Sequence, residues 1–119
     1  MYKYRCKIIR VIDGDTVDVD IDLGFGIWLH KERVRLFGID TPESRTRDLE
    51  EKKRGLAAKD RLVEMLESND NKFILQSYGI GKYGRCLAEL FIPMNGEETC
   101  INKQLILEGH GVEYFGGKR

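Results

Sequence analysis

Residues 16–22 read Thr-Val-Asp-Val-Asp-Ile-Asp. Three apolar side chains, Val17, Val19 and Ile21, alternate without a break with Asp18, Asp20 and Asp22. Successive side chains of a strand point to opposite faces, so this period of two predicts a half-buried strand. Its apolar face is assigned to a core, and its three aspartates are read as the solvent face. Asp13-Gly14 just before it is a turn signal, and residues 3–12, with Ile8, Ile9, Val11 and Ile12, read as the strand on the other side of that turn.

The same reasoning extends along the chain. Residues 23–32 hold Gly24, Gly26 and Trp28 and read as a long hairpin connection to a third strand at 33–39. Residues 44–54 are almost wholly charged, with no apolar face, and are expected to form an exposed, mobile loop or to fray into helix. From Gly55 to Ser68, Ala58, Leu62 and Leu66 recur at helical spacing, and Asn69-Asp70-Asn71 stops the helix. Two more strands follow at 72–78 and 85–92, then the tight-turn pair Asn95-Gly96. A short helix is expected from Ile101 to Glu108, ended by Gly109. The order β-β-β-α-β-β-α, mainly β with α, is the outline of a closed five-stranded Greek-key barrel of the OB type with two or three helices.

A chain of 119 residues with no Pro/Ser-rich linker is expected to be one domain, residues 1–119, large enough to fold without disulfides. Three cysteines, Cys6, Cys86 and Cys100, form no metal-binding spacing and are read as buried or half-buried thiols of a reducing compartment. No apolar run approaches the roughly 20 residues of a membrane span. The first residues enter a strand pattern with no apolar signal-peptide core. The expectation is a cytoplasmic monomer that does not engage a membrane. Twenty basic and twenty acidic residues cancel, which argues against a simple nucleic-acid wrapper. A basic groove beside an acidic pocket remains compatible with that total.

Four short segments carry candidate chemistry. Asp15 follows Gly14 at the mouth of a strand, where a carboxylate serves either as a metal ligand or as a turn cap. In Asp40-Thr41-Pro42-Glu43 the proline restricts Thr41 to extended conformations and sets the direction of its carbonyl. Two carboxylates and a carbonyl are hard oxygen donors suited to Ca²⁺, and Glu43 is within reach of a metal-bound water; the same tetrapeptide also reads as helix initiation. Arg33 and Arg35 share one strand face, and a guanidinium fork matches phosphate oxygens. Lys82-Tyr83-Gly84-Arg85 combines cations, an aromatic ring and a flexible glycine, a set that can hold a phosphate or form an ordinary basic loop. His30 and His110 pair with no Cys or Ser motif and are read as structural.

Taken together, Val11 to Val17, Arg35-Leu36, Asp40 to Glu43 and Lys82 to Ala88 resemble the staphylococcal (micrococcal) nuclease family. Gly55, Ala58 and the 102–109 segment also fit, so the resemblance spans residues ~7–115. It implies an OB barrel and Ca²⁺-dependent hydrolysis of DNA and RNA at the P–O5′ bond, leaving 3′-phosphates. Carried over by position, Asp15 and Asp40 would be carboxylate ligands of Ca²⁺ and Thr41 would offer its carbonyl. Glu43 would sit by the attacking water. Arg35 and Arg85 would bind the scissile phosphate and stabilise its five-coordinate transition state. Lys82 and Tyr83 would hold an adjacent phosphate, and Tyr114 or Phe115 would stack on a base. Gly81 stands where the family often has Asp, and Gly116-Gly117 replace a second aromatic. The alternative is a catalytically inactive OB-fold module that binds nucleic acid or protein. Degenerate copies of that kind lose carboxylate or arginine positions that this chain retains.

Overall fold

A computed structural model describes residues 2–81 and 84–114. Its element order is β1 (Lys3–Asp13), β2 (Thr16–Gly24), β3 (Ile27–Leu36), β4 (Gly38–Asp40), α1 (Leu49–Glu67), β5 (Lys72–Ile80), β6 (Cys86–Met94), β7 (Glu97–Cys100), α2 (Ile101–Leu107) and β8 (Val112–Tyr114). Strands β3-β2-β1-β5-β6 are hydrogen-bonded in that order, and β3 pairs in parallel with β6, which closes the barrel. The OB topology follows: five barrel strands, with a helix between the third and fourth. The β7 strand extends β6, and β4 pairs with β8 in a separate two-stranded sheet.

The alternation at residues 16–22 sets the core. Val17 and Val19 are fully buried and Ile21 nearly so, joined by Val34, Leu36, Phe73, Leu75, Leu90 and Ile92 from the other barrel strands. On α1, Ala58, Leu62, Met65 and Leu66 supply one apolar stripe, and Ile101 and Leu105 do the same for α2. Asn102 of α2 is buried and ties β6 to the turn after β3. Its side-chain amide donates to the carbonyls of Phe37 (2.8 Å) and Ala88 (3.0 Å), and its Oδ1 accepts from the Leu90 N–H at 3.1 Å.

Four sequence-based expectations need correction. First, residues 23–32 are not a long connection. The β2–β3 hairpin turns at Phe25-Gly26, and β3 already begins at Ile27. Gly24, Phe25 and Gly26 all take positive φ, so two permissive residues concentrate the reversal. Second, the third strand ends at Leu36 rather than 39. Phe37 donates to the Ala88 carbonyl, and Gly38 at φ +81° turns the chain into the separate β4. Third, the charged stretch 44–54 is helical from Leu49. Asp48 caps it, accepting from the N–H groups of Glu50 (3.0 Å) and Glu51 (3.3 Å). Leu49 is the one apolar residue of the first turn and is exposed, so there is no apolar period to read. Fourth, the aspartates of β2 are not all solvent-facing: Asp18 is only 4% exposed. The guanidinium of Arg33 holds it at 2.9 and 3.2 Å, with Arg10 at 3.6 Å.

Cys6 is buried, Cys86 and Cys100 half-buried, and all three are free thiols. Burial pushes Cys6 up to about 12 and Cys100 up to about 11, which keeps both protonated and unreactive. Among the described residues no helix is long and apolar enough to cross a membrane.

Candidate functional site

Strand register brings the separated motifs together. Thr16 on β2 sits opposite Arg35 on β3, so Asp15, one residue earlier, lies at the end of that rung. The parallel pairing of β3 with β6 sets Arg35 opposite Leu87, and Arg85, just before β6, lines the same cavity as Arg35. The turn after β3 carries Asp40 and Thr41 back over the same barrel end. The Leu36 N–H donates to the Asp15 carbonyl at 2.8 Å, which fixes the two motifs to each other.

A cavity of about 450 Å³ opens there, with Asp15, Arg35, Asp40, Thr41, Glu43 and Arg85 all on its wall. Its centre is the Arg35 guanidinium. Nη1 donates to the Ile39 carbonyl at 2.8 Å and to the Leu36 carbonyl at 3.2 Å. These backbone acceptors orient the fork, and only 15% of the side chain is exposed. Its approach to carboxylates is looser: 3.4 Å to Asp15 Oδ2 and 3.5 Å to Asp40 Oδ1. The two acids are thus placed around one cation without being saturated by it. Asp15 is also oriented by the Thr41 N–H, which donates to its Oδ2 at 3.0 Å, and by the Thr16 hydroxyl, which donates to Oδ1 at 3.0 Å.

Two glycines make this convergence possible. A Cβ on Gly14 would lie 2.8 Å from Ala58 Cβ and 3.0 Å from Thr41 Oγ1. A Cβ on Gly55 would lie 2.4 Å from the Glu43 carbonyl oxygen. Helix α1 therefore packs directly on the Glu43–Ser44 backbone and supports the carboxylate from beneath. Thr41 Oγ1 is buried against Gly14 with no hydrogen-bond partner among the described residues. Asp13 braces the same loop, accepting from both the backbone N–H and the hydroxyl of Ser44.

Lys82, Tyr83 and Phe115, expected from the sequence as substrate contacts, lie outside the described residues. Tyr114 is placed on β8 opposite Gly38; it is Val112 of that strand, rather than Tyr114, that lines the cavity. Glu51 and Arg54 of α1 also line it, and neither was anticipated. Glu51 accepts the Glu43 N–H at 3.2 Å. Both belong to the wholly charged run, in which no spacing distinguishes one residue from the next.

Among the described residues no group of three or more His, Cys, Asp or Glu side chains is arranged to hold a metal ion. The donors at this site are the two carboxylates of Asp15 and Asp40 and backbone oxygen. That set is hard and oxygen-only, which fits a weakly held Ca²⁺ whose remaining positions go to water and substrate, and does not fit zinc.

Comparison with known proteins agrees with this geometry. The family model described as staphylococcal nuclease homologue matches residues 33–118. The chain is 35% identical over 100 residues to a thermonuclease of Staphylococcus intermedius, covering 84% of this chain and 54% of that protein. It is 34% identical over 110 residues to an uncharacterized protein of Bacillus anthracis, covering 89% and 45%. A micrococcal nuclease of Shigella flexneri is 28% identical over 116 residues, covering 93% and 59%. The chain spans about half the length of the curated relatives it matches.

Proposed function

Because the chain belongs to the staphylococcal nuclease family, we propose that it is a Ca²⁺-dependent nuclease that hydrolyses nucleic acid at the P–O5′ bond to leave 3′-phosphates. One observation carries this reading. Asp15 and Asp40 both approach the Arg35 guanidinium, at 3.4 and 3.5 Å, in a cavity that Glu43 and Arg85 also line.

Asp15 and Asp40, with the Thr41 carbonyl, would hold Ca²⁺, which would supply Lewis-acid charge withdrawal from a phosphoryl oxygen. The residues of the chain do the rest. Arg35 is held by backbone carbonyls at 2.8 and 3.2 Å, so its remaining N–H groups are aimed before substrate arrives. A preoriented donor stabilises charge that builds on equatorial oxygens without reorganising during the reaction. Arg85 supplies the second guanidinium from the start of β6. Glu43 takes or orders the proton of the attacking water. A carboxylate is needed there because Ca²⁺ lowers the pKa of bound water far less than Zn²⁺ does. The Glu51 contact to the Glu43 N–H and the close packing of Gly55 hold that carboxylate's backbone.

The substrate is DNA, RNA or both. Lys82 and Tyr83 hold a neighbouring phosphate, and Tyr114 or Phe115 contacts a base. The test is digestion of a single-stranded oligonucleotide in millimolar Ca²⁺, with the products weighed by mass spectrometry. Fragments ending in 3′-phosphate support the assignment. Fragments ending in 5′-phosphate would require a different direction of attack. Glu43→Gln is expected to slow cleavage; a variant at full rate would remove the carboxylate from the mechanism. Retention of oligonucleotide binding without any cutting would favour the inactive binding module.

A further inference from the structure

The outward positions of the first half of β1 are all cationic: Lys3, Arg5 and Lys7 are exposed, while Tyr4 is half-buried and Cys6 buried. Register extends this stripe across the barrel wall. Trp28, Asp22, Arg5, Ile74 and Phe91 follow one another on a single rung across the five paired strands β3, β2, β1, β5 and β6, and Lys7 stands opposite Lys72. Lys7 Nζ lies 5.2 Å from the centre of the Trp28 ring, and Lys3 Nζ lies 5.6 Å from that of Phe91. A hollow of about 410 Å³ sits among Arg5, Lys7, Lys72, Trp28 and Phe91. It shares no lining residue with the Asp15–Arg35 cavity.

Four carboxylates also face this wall, and three of them already accept hydrogen bonds. Asp22 accepts the Gly24 N–H at 2.8 Å. Asp20 accepts the Lys31 N–H at 2.9 Å and lies 3.3 Å from His30 Nδ1. Glu89, opposite Gln76 on the Lys3 rung, accepts the Tyr78 hydroxyl. The fourth, Glu98, is exposed. Among the described residues, Lys3, Arg5, Lys7 and Lys72 close no ion pair within 4 Å. The cations thus remain available to an anionic ligand, and two of them already lie over aromatic faces. Cations in a row beside half-buried rings suit a single nucleic-acid strand, whose phosphates and bases alternate along the chain.

The wall also lies along the same strands as the candidate active site. Asp13 is six to eight residues from Lys7 and Arg5 along β1, or roughly 20–26 Å at 3.3 Å per residue. A stacked strand at about 3.4 Å per nucleotide covers that span in about six to eight nucleotides. We propose that this wall is a second nucleic-acid site, an exosite that grips a single strand by stacking bases on Trp28 and Phe91 and pairing phosphates with Lys3, Arg5, Lys7 and Lys72. It rests on the nuclease reading only for the identity of its ligand.

Trp28 is the only tryptophan of the chain, so its emission reports on this wall alone. The full chain, held in chelator to prevent cutting, is titrated with a 20-nucleotide oligothymidylate. Saturable quenching of Trp28 is expected. By anisotropy of the labelled oligomer, Trp28→Ala should weaken binding at least about fivefold, the loss of one stacked base. Trp28→Phe, which keeps a ring, should recover most of it and controls for folding. Lys7→Gln should lower the slope of log affinity against log salt by about 0.7, one phosphate contact on a single strand. An oligomer that binds or is cut with unchanged Trp28 emission, and with equal affinity for all three variants, would overturn the exosite. So would quenching by phosphatidylglycerol vesicles with none by the oligomer. Quenching without cleavage on adding Ca²⁺ would instead leave the exosite standing and count against the nuclease reading.

Discussion

Two neighbouring Asp–Arg groupings on one barrel wall look alike in sequence and differ in geometry. Asp18 and Arg33 form a closed pair: two charge-assisted hydrogen bonds at 2.9 and 3.2 Å, with Arg10 alongside. This pair holds the Asp18 carboxyl below the usual range and the Arg33 guanidinium above it, chiefly through their shared hydrogen bonds. Arg35, two residues beyond Arg33 on β3, forms an open group with Asp15, which precedes β2, and Asp40 of β4. There the guanidinium takes its short contacts from backbone carbonyls and meets both carboxylates only at 3.4–3.5 Å. A closed pair satisfies itself and stabilises the fold. An open group keeps bonding capacity for a cation and a phosphate. Charge pattern alone does not separate the two; what the arginine is held by does.

The largest effect should come from breaking the open group. Arg35→Lys keeps the charge but loses the planar fork. It is expected to lower kcat/KM by about 100–1000-fold, the scale of losing one preorganised oxyanion donor. The melting temperature should change little. Cleavage kinetics and thermal unfolding on the same sample check both halves. A variant that cuts normally would mean that Arg35 is as structural as Arg33.

The support beneath the open group comes next. Gly55→Ala raises helix propensity, yet its Cβ would meet the Glu43 carbonyl oxygen at 2.4 Å. We expect a net loss of about 1–3 kcal/mol by denaturant titration, the usual cost of overpacking. Activity should fall with it, because Glu43 is displaced. A stabilised and fully active variant would show that helix α1 does not set the Glu43 position.

Breaking the closed pair should do the reverse. Asp18→Asn is expected to cost about 1–2 kcal/mol of stability, between the values of an exposed and a buried charged hydrogen bond. Cleavage should stay within a few-fold of wild type. Unfolding and activity measured together test it, and a collapse of activity at unchanged stability would merge the two groups.

The smallest effect concerns Glu108 at the end of α2, closed on Arg61 at 2.6 and 3.0 Å. That contact lowers the Glu108 carboxyl from 4.5 to about 2. A depressed folded value adds stability above pH ~4.5 that is lost as pH falls from about 4.5 through about 2. Arg61→Gln should flatten that part of the stability curve relative to wild type, and identical curves would show that the pair contributes nothing.

Much of the barrel was legible because its strands alternate and its turns carry Asp-Gly and Asn-Gly. The site was legible as four motifs, since Asp15, Arg35, Asp40, Glu43 and Arg85 are each marked by a local pattern. Their convergence was implied only by the family resemblance, because it depends on the parallel β3–β6 rung, a long-range pairing with no local signal. The burial of Asp18 was hidden for a similar reason: an aspartate on the outer face of a strand reads as solvated until Arg33 arrives from fifteen residues away. Glu51 and Arg54 were invisible because every residue of 44–54 except Leu49 is polar or charged, so no apolar period sets the face each presents. The early start of β3 was masked by Gly24 and Gly26, which suggested a longer loop than the two-residue reversal they form.

The most direct test of the account is a Ca²⁺ titration of single-stranded DNA cleavage by the wild-type chain, run beside Asp40→Asn and closed by adding chelator. The account predicts no cutting without Ca²⁺, a rate that rises saturably with it, a much higher Ca²⁺ requirement in Asp40→Asn, and arrest on chelation. Cutting that continues in chelator, or an Asp40→Asn variant with an unchanged Ca²⁺ response, would contradict it.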